Sequence, residues 1–195
     1  SENVDLVGID NRYGVWNAVR YLIDCGHTRI GYLHSSVEIR NFIRRQDGYA
    51  MGCRSLPDPA AKDAVRRVFR VGNTPETAAA DMRAHLLKDQ ILPTAFFADN
   101  DSIAAGCCRA MQEYGLRIPE DVSVIGFDDS SICQMTSPPL TTMGVQKERM
   151  GALAVNRLHE RLRMDMPENV RILVRPRIVV RGSVLDLNAP ILETE

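Results

Sequence analysis

Two hydrophobic rhythms alternate along the chain. Val4-Asp5-Leu6-Val7-Gly8-Ile9 is a short apolar run. Val15, Ala18, Val19, Leu22 and Ile23 then recur at helical spacing, and Gly26 stands where a helix C-terminus belongs. Arg29-Ile30-Gly31-Tyr32-Leu33 repeats the strand pattern, a helix is predicted from about Asn41 to Arg54, and a linker with Pro57 and Pro59 follows. Val68 to Val71 reads as a third strand. Thr74-Pro75-Glu76 opens a helix with proline at its first position, carrying Ala78, Ala79, Met82 and Leu86. Thr94 to Ala98 is a fourth strand, Ser102 to Tyr114 a helix, and Asp121 to Phe127 a fifth strand. The strands are almost continuously apolar, as in strands buried on both faces. The alternation therefore predicts an α/β fold, a doubly wound parallel sheet with right-handed crossovers. No internal repeat is visible.

After Asp128 the rhythm changes. A loop with Pro138-Pro139 leads to a short strand near Leu140 to Val145 and a helix from Lys147 to about Arg163. The stripe Met150, Ala154, Leu158 and Leu162 on that helix calls for a packing partner, while Arg157, Arg161 and Arg163 read as a solvated face. Arg171 to Arg181 is a final strand, with Pro176 marking a bend or an edge. From Leu185 onward the tail reads as loose.

Composition narrows the function. The chain has 195 residues, 24 basic against 25 acidic, and a net charge of −1. DNA binding is dominated by phosphate contacts and usually brings a basic excess. If the protein acts on DNA, the contacting part lies elsewhere. Cys25, Cys53, Cys107, Cys108 and Cys133 are odd in number and lack CxxC spacing, which suits free thiols in a reducing cytoplasm. The histidines match no metal-ligand spacing. No apolar run approaches the roughly 20 residues that span a bilayer, and Ser1-Glu2-Asn3 shows no signal peptide. A buried strand already at Val4 to Ile9 suggests a piece of a longer protein.

In open parallel sheets, ligands bind beyond the carboxyl ends of the strands. The residues at those exits are Asp10-Asn11-Arg12, His34-Ser35-Ser36, Asp99-Asn100-Asp101 and Asp128-Asp129-Ser130-Ser131. Such a rim suits a polyhydroxylated ligand, because carboxylates and amides engage neighbouring hydroxyls with both side-chain atoms. Arg40, Arg44 and Arg45 on the following helix offer a bidentate donor. Each residue also has a plain reading: Asn100 or Asp99 as a helix cap, Asp128-Asp129 as a turn. No GxGxxG follows the first strand, and neither a P-loop nor a GxSxG elbow is present. No nucleophile or metal set supports Asp128-Asp129 as an acid–base pair. The protein is expected not to be an enzyme and to need no cofactor.

A set of ordered motifs adds a resemblance. Asp10-Asn11 with Gly14, LIDCGHTRI over Leu22 to Ile30, Arg45 with Gly48-Tyr49, and Asn100-Asp101 with Ala105-Gly106 come first. IPEDVSVIGFDD over Ile118 to Asp129, PPLTT over Pro138 to Thr142, Met150-Gly151 with Ala154, and IVVRGS over Ile178 to Ser183 follow. Together they resemble the lactose-repressor/galactose-repressor family of bacterial transcription regulators, over roughly residues 4 to 184.

The resemblance implies a periplasmic-binding-protein-like fold of type I, with part of a second similar subdomain. Residues 10–138 plus 171–184 would form the C-terminal subdomain, and 1–9 with 139–170 the crossing segment and partial N-terminal subdomain. Residues 185–195 would be a loose tail. The implied function is allosteric control of operator binding by a sugar-like effector held between subdomains. The implied partners are that effector, a second copy in a homodimer, and operator DNA reached only through a headpiece absent from this sequence. No membrane partner is implied. By resemblance, Arg45 grips the ligand, Asn100 and Asp128 contribute from strand exits, and Asn41 faces the cleft. Phe42 is either a stacking surface or a core residue. Many members place an aromatic after the third strand; this chain has Val71-Gly72-Asn73. Helix 102–114 carries Ala104, Ala105, Gly106 and Cys107, suited equally to a dimer contact or to a core. The alternative function is a periplasmic sugar-binding protein of a transport system; the cysteines and the IPEDVSVIGFDD and PPLTT motifs weigh against it.

Overall fold

The computed structural model describes residues 4–56, 68–88, 91–163 and 168–189. Its elements run β1 (Leu6–Ile9), α1 (Asn11–Asp24), β2 (Ile30–Ser35), α2 (Arg40–Cys53), β3 (Val68–Val71), α3 (Pro75–Leu86), β4 (Ala95–Ala98), α4 (Asp101–Glu113) and β5 (Ser123–Asp128). A 3-10 turn (Ser131–Gln134), β6 (Thr141–Gly144), α5 (Lys147–Arg163), β7 (Arg171–Val174) and β8 (Arg177–Val179) complete them. The linker expected at Pro57 and Pro59 lies outside the described residues.

Six strands form one sheet in the order β3-β2-β4-β5-β6-β8. All neighbours are parallel except β8, which runs antiparallel to β6 at the edge. The side-chain period of two sends alternate residues to opposite faces. Tyr32 and Phe97 join the core under α1 and α2 with Val15, Val19 and Leu22. Leu33 and Phe96 join the core under α3 and α4 with Met82, Ile103 and Met111. The expected doubly wound sheet is therefore present. Its helices approach closely because glycine allows it: a Cβ on Gly48 would lie 2.4 Å from the Arg12 carbonyl oxygen, and one on Gly106 would lie 2.2 Å from that of Pro75.

Four expectations need correction. Residues 139–170 were expected in the smaller unit, yet all of β6 is buried and pairs with β5 in the large sheet. Residues 171–184 were expected in the large one; β8 is there beside β6, but β7 pairs with β1 in a separate two-stranded ribbon. The expected single last strand breaks at Pro176, which lacks an N–H for a ladder and so separates β7 from β8. Nor are residues 185–189 a loose tail. Leu185 N–H donates to Ser123 Oγ at 2.9 Å, Leu187 N–H to the Cys25 carbonyl at 2.8 Å, and the Leu185 carbonyl lies 3.1 Å from Nε2 of buried His27. Residues 190–195 lie outside the described residues.

The ribbon packs against α5. Arg157, read from sequence as a solvated residue, is buried, and its Nε–H donates to Asp5 Oδ2 at 2.9 Å. Asp5 Oδ1 also accepts from the Val170 N–H at 2.6 Å, so one carboxylate joins three segments. Within this stripe Leu158 and Leu162 are exposed, as are Val155 on the same helix and Leu6 and Leu173 on the ribbon.

Candidate functional site

The chain leaves β2 toward one edge strand, β3, and returns to β4 on β2's other side. The two crossovers diverge there, which opens a crevice at the carboxyl ends of β2 and β4. Asp99 sits at that end, fully buried. Burying a carboxylate is costly unless donors surround it. Asp99 has three: the Tyr32 hydroxyl, His34 Nδ1 at 2.6 Å and the Ser35 N–H at 2.8 Å. The network ties the two strand ends together and fixes the direction of the Asp99 carbonyl.

That carbonyl accepts from Nη1 of Arg45. Arg45 lies on α2 and is 2% exposed. Its Nε–H donates to Asn11 Oδ1 at 2.8 Å and its Nη2 to Asp128 Oδ1 at 3.0 Å. The guanidinium carbon lies 3.7 Å from the ring centroid of Phe127, a cation–π contact. Asn11 Nδ2 donates to Asn41 Oδ1 and to the Ile9 carbonyl, each at 3.3 Å. Elements α1, α2, β4 and β5 thus converge on one arginine.

Asp128 reaches Arg45 because its loop is held in an unusual shape. Asp128 and Asp129 have φ of 107° and 51°, the left-handed region that non-glycine residues rarely occupy. Asp101 holds the loop: its Oδ2 accepts from the Ser130 N–H at 2.7 Å and hydroxyl at 3.0 Å, and its Oδ1 from Thr142 at 2.6 Å. Arg181 anchors Asp129 at 2.7 Å. Burial raises the Asp128 pKa above the ordinary carboxylate value, and the charge and hydrogen bond of Arg45 only partly offset that rise.

Arg45, Asp128 and Asn41, the last through Asn11, therefore meet. Asn100 adjoins the Asp99 carbonyl, but its Oδ1 accepts from the Ile103 N–H at 2.9 Å and caps α4, the plainer of its two readings. Phe42 is buried, its ring centroid 5.6 Å from the Arg45 guanidinium carbon, a wall of the site rather than an open stacking face. Asn11, Asp99, Tyr32 and Asp101 complete the site, and the sequence alone assigns none of them to it. Three of them are strand-exit residues, so the strand-exit rule found their positions. Nothing in the one-dimensional pattern shows which exits turn inward to each other.

Comparison with known proteins adds family and scale. The model of the periplasmic binding protein-like domain matches residues 19–184. The HTH-type transcriptional repressor PurR of Histophilus somni is 34% identical over 187 residues, covering 96% of this chain and 55% of that protein. The chain thus spans about half the length of the curated relatives it matches. A LacI family transcriptional regulator from Enterococcus faecium with bound ribose superposes with a TM-score of 0.80 at 26% identity, over 94% of this chain and 66% of that one. The transcriptional regulator CelR in complex with cellobiose superposes at 0.79 with 29% identity, over 93% of this chain and 54% of that one.

Proposed function

The chain belongs to the periplasmic binding protein-like domain family and is a ligand-sensing domain of the lactose-repressor/galactose-repressor type, and from that premise we propose that its ligand is a small polyhydroxylated molecule held at Arg45 and Asp128. The relatives are transcription regulators, which replaces the transport reading. The observation that carries the proposal is the Arg45–Asp128 pair at the divergence of the two crossovers. A planar donor faces an acceptor there, and adjacent hydroxyls of one sugar satisfy both. Asn41 adds an exposed amide at the rim, and Asn100 adds its amide nitrogen, which the helix cap leaves unused.

Arg45 is almost wholly enclosed, so a ligand must compete with Asp128 for it. That competition distinguishes two states. One has the pair closed on itself; the other has sugar hydroxyls between donor and acceptor. A ligand shifts an equilibrium only through such differential affinity. In the parent protein the shift would alter operator binding by a DNA-contacting segment outside this chain, in a cytoplasmic regulator with no chemistry of its own. Among the described residues no helix is long and apolar enough to cross a membrane. The parent would act as a homodimer. The groove beside α4 and the 3-10 turn suits a second copy: it encloses about 290 Å³ and is lined by Pro75, Ala105, Cys108, Ile132 and 80%-exposed Met135. Gly106 lies in the same groove, with its Cα packed against the Pro75 backbone of the same chain.

A thermal-shift screen of pentoses, disaccharides and purine bases tests the reading. A pentose or a disaccharide, and not a purine base, is expected to stabilise the protein, and Arg45→Ala is expected to abolish that shift while circular dichroism stays native. Stabilisation that survives Arg45→Ala overturns the site.

A further inference from the structure

A second cavity lies on the outer side of Asn11. It encloses about 340 Å³ between the β1–β7 ribbon and the first turns of α1 and α2. Arg12, Arg40, Arg44 and Arg171 line it, against Asp10 and Asp47. Arg45, Asp128 and Asn41 do not line it, so it is not the effector pair seen from another side.

Four guanidiniums around one cavity repel each other, yet none is neutralised. Elsewhere Arg20, Arg83, Arg117 and Arg181 each find a carboxylate within 3.4 Å. None of the four cavity arginines has a carboxylate within ion-pair distance among the described residues. Asp10 is spent otherwise: its Oδ1 caps α1 by accepting from the Tyr13 N–H at 3.1 Å. The charge is local, because the whole chain carries −1. The start of α2 adds to it. Ile39 caps that helix without a side-chain hydrogen bond, no acidic residue stands in its first turn, and Arg40 sits there instead. A cation at a helix N-terminus opposes the helix dipole, where an anion would complement it.

We propose that this cavity binds a compact phosphate-class oxyanion, either inorganic phosphate or the phosphate of a phosphomonoester. Planar guanidiniums pair with phosphate through two parallel N–H···O bonds, and several converge on it without crowding. The placement gives the anion a structural consequence. Arg171 belongs to the ribbon; Arg12, Arg40 and Arg44 belong to the helices over the large sheet. A bound phosphate cross-links the two, and so stiffens the junction through which the ribbon meets the effector-binding sheet.

The test uses the full-length natural protein at matched ionic strength. Inorganic phosphate, a phosphorylated hexose and the same hexose without phosphate are titrated by calorimetry, with chloride as the control. Variants are Arg40→Gln/Arg44→Gln, Arg171→Gln, Arg45→Ala and, as a surface control, Arg20→Gln. Phosphate or the hexose phosphate is expected to bind, and each lost arginine to weaken it about tenfold. Equal affinity for the two assigns the site to free phosphate; tighter binding of the hexose phosphate assigns it to a phosphorylated ligand. Arg45→Ala leaves phosphate binding intact, which separates this site from the effector pair. No binding of either anion overturns the proposal. So does a loss in Arg20→Gln as large as that in the double variant, or a loss that follows Arg45→Ala.

Discussion

Asp99 shows how one buried side chain orders the groups around it. Its carboxylate is fully enclosed and takes hydrogen bonds from β2 side chains and backbone, while its carbonyl orients Arg45. Asp99→Asn keeps the size but turns an NH₂ toward groups that are donors themselves. The variant is expected to lose roughly 3 kcal/mol of unfolding free energy, the cost of leaving buried polar groups unmatched. Urea titration followed by circular dichroism measures it; a loss below about 0.5 kcal/mol, typical of neutral surface changes, contradicts the role. At this scale the sequence was legible in part. The strand-exit pattern narrowed the candidates to Asp128-Asp129 and to Arg40, Arg44 and Arg45, and only the family resemblance picked Arg45 and Asp128 from among them. Asn100 could not be decided, since a cap and a ligand contact need the same side chain at the same position, and the cap holds its oxygen. Arg157 was misread because surface periodicity ignores a carboxylate arriving from β1's flank, more than 150 positions away in sequence.

Elements are placed by how closely their backbones approach. Gly106 lies against the Pro75 carbonyl, where α4 crosses α3, and even one methyl group there has no room. Gly106→Ala is expected to cost about 2 kcal/mol, in the range of core overpacking. Gly151 is the opposite case: it lies in α5 with nothing within 4 Å of an added Cβ. Gly151→Ala is expected to stabilise by about 0.5–1 kcal/mol through helix propensity alone. Thermal melts of the two variants check both signs together, and a stabilised Gly106→Ala would contradict the packing described. The central strands and their helices were readable because a strand buried on both faces is apolar throughout, while helices carry one stripe. The membership of β6 and β7 was not readable. Both are short, and their partners, β5 and β1, are chosen by long-range pairing that leaves no local signature.

The whole molecule divides its surface unequally. The large sheet is covered on both faces, whereas Leu6, Leu173, Val155, Leu158 and Leu162 of the ribbon and α5 stand exposed. The chain spans about half of its curated relatives. One property is accessible at this scale: the proposed pairing of two copies through the groove beside α4. Met135, four-fifths exposed at its rim, is the natural anchor. Met135→Glu places a charge in that contact and is expected to convert the dimer to monomer in sedimentation velocity of the full-length protein, with its thermal melt unchanged. A dimer that persists assigns the interface elsewhere.

All of this depends on Arg45 exchanging Asp128 for a ligand. The most direct measurement is calorimetric titration of the effector found by screening into wild-type protein and Arg45→Lys, which keeps the charge but loses the planar fork. The account predicts at least about a hundredfold weaker binding in Arg45→Lys, from the loss of two directed charge-assisted bonds. Equal affinity in the two proteins would contradict it.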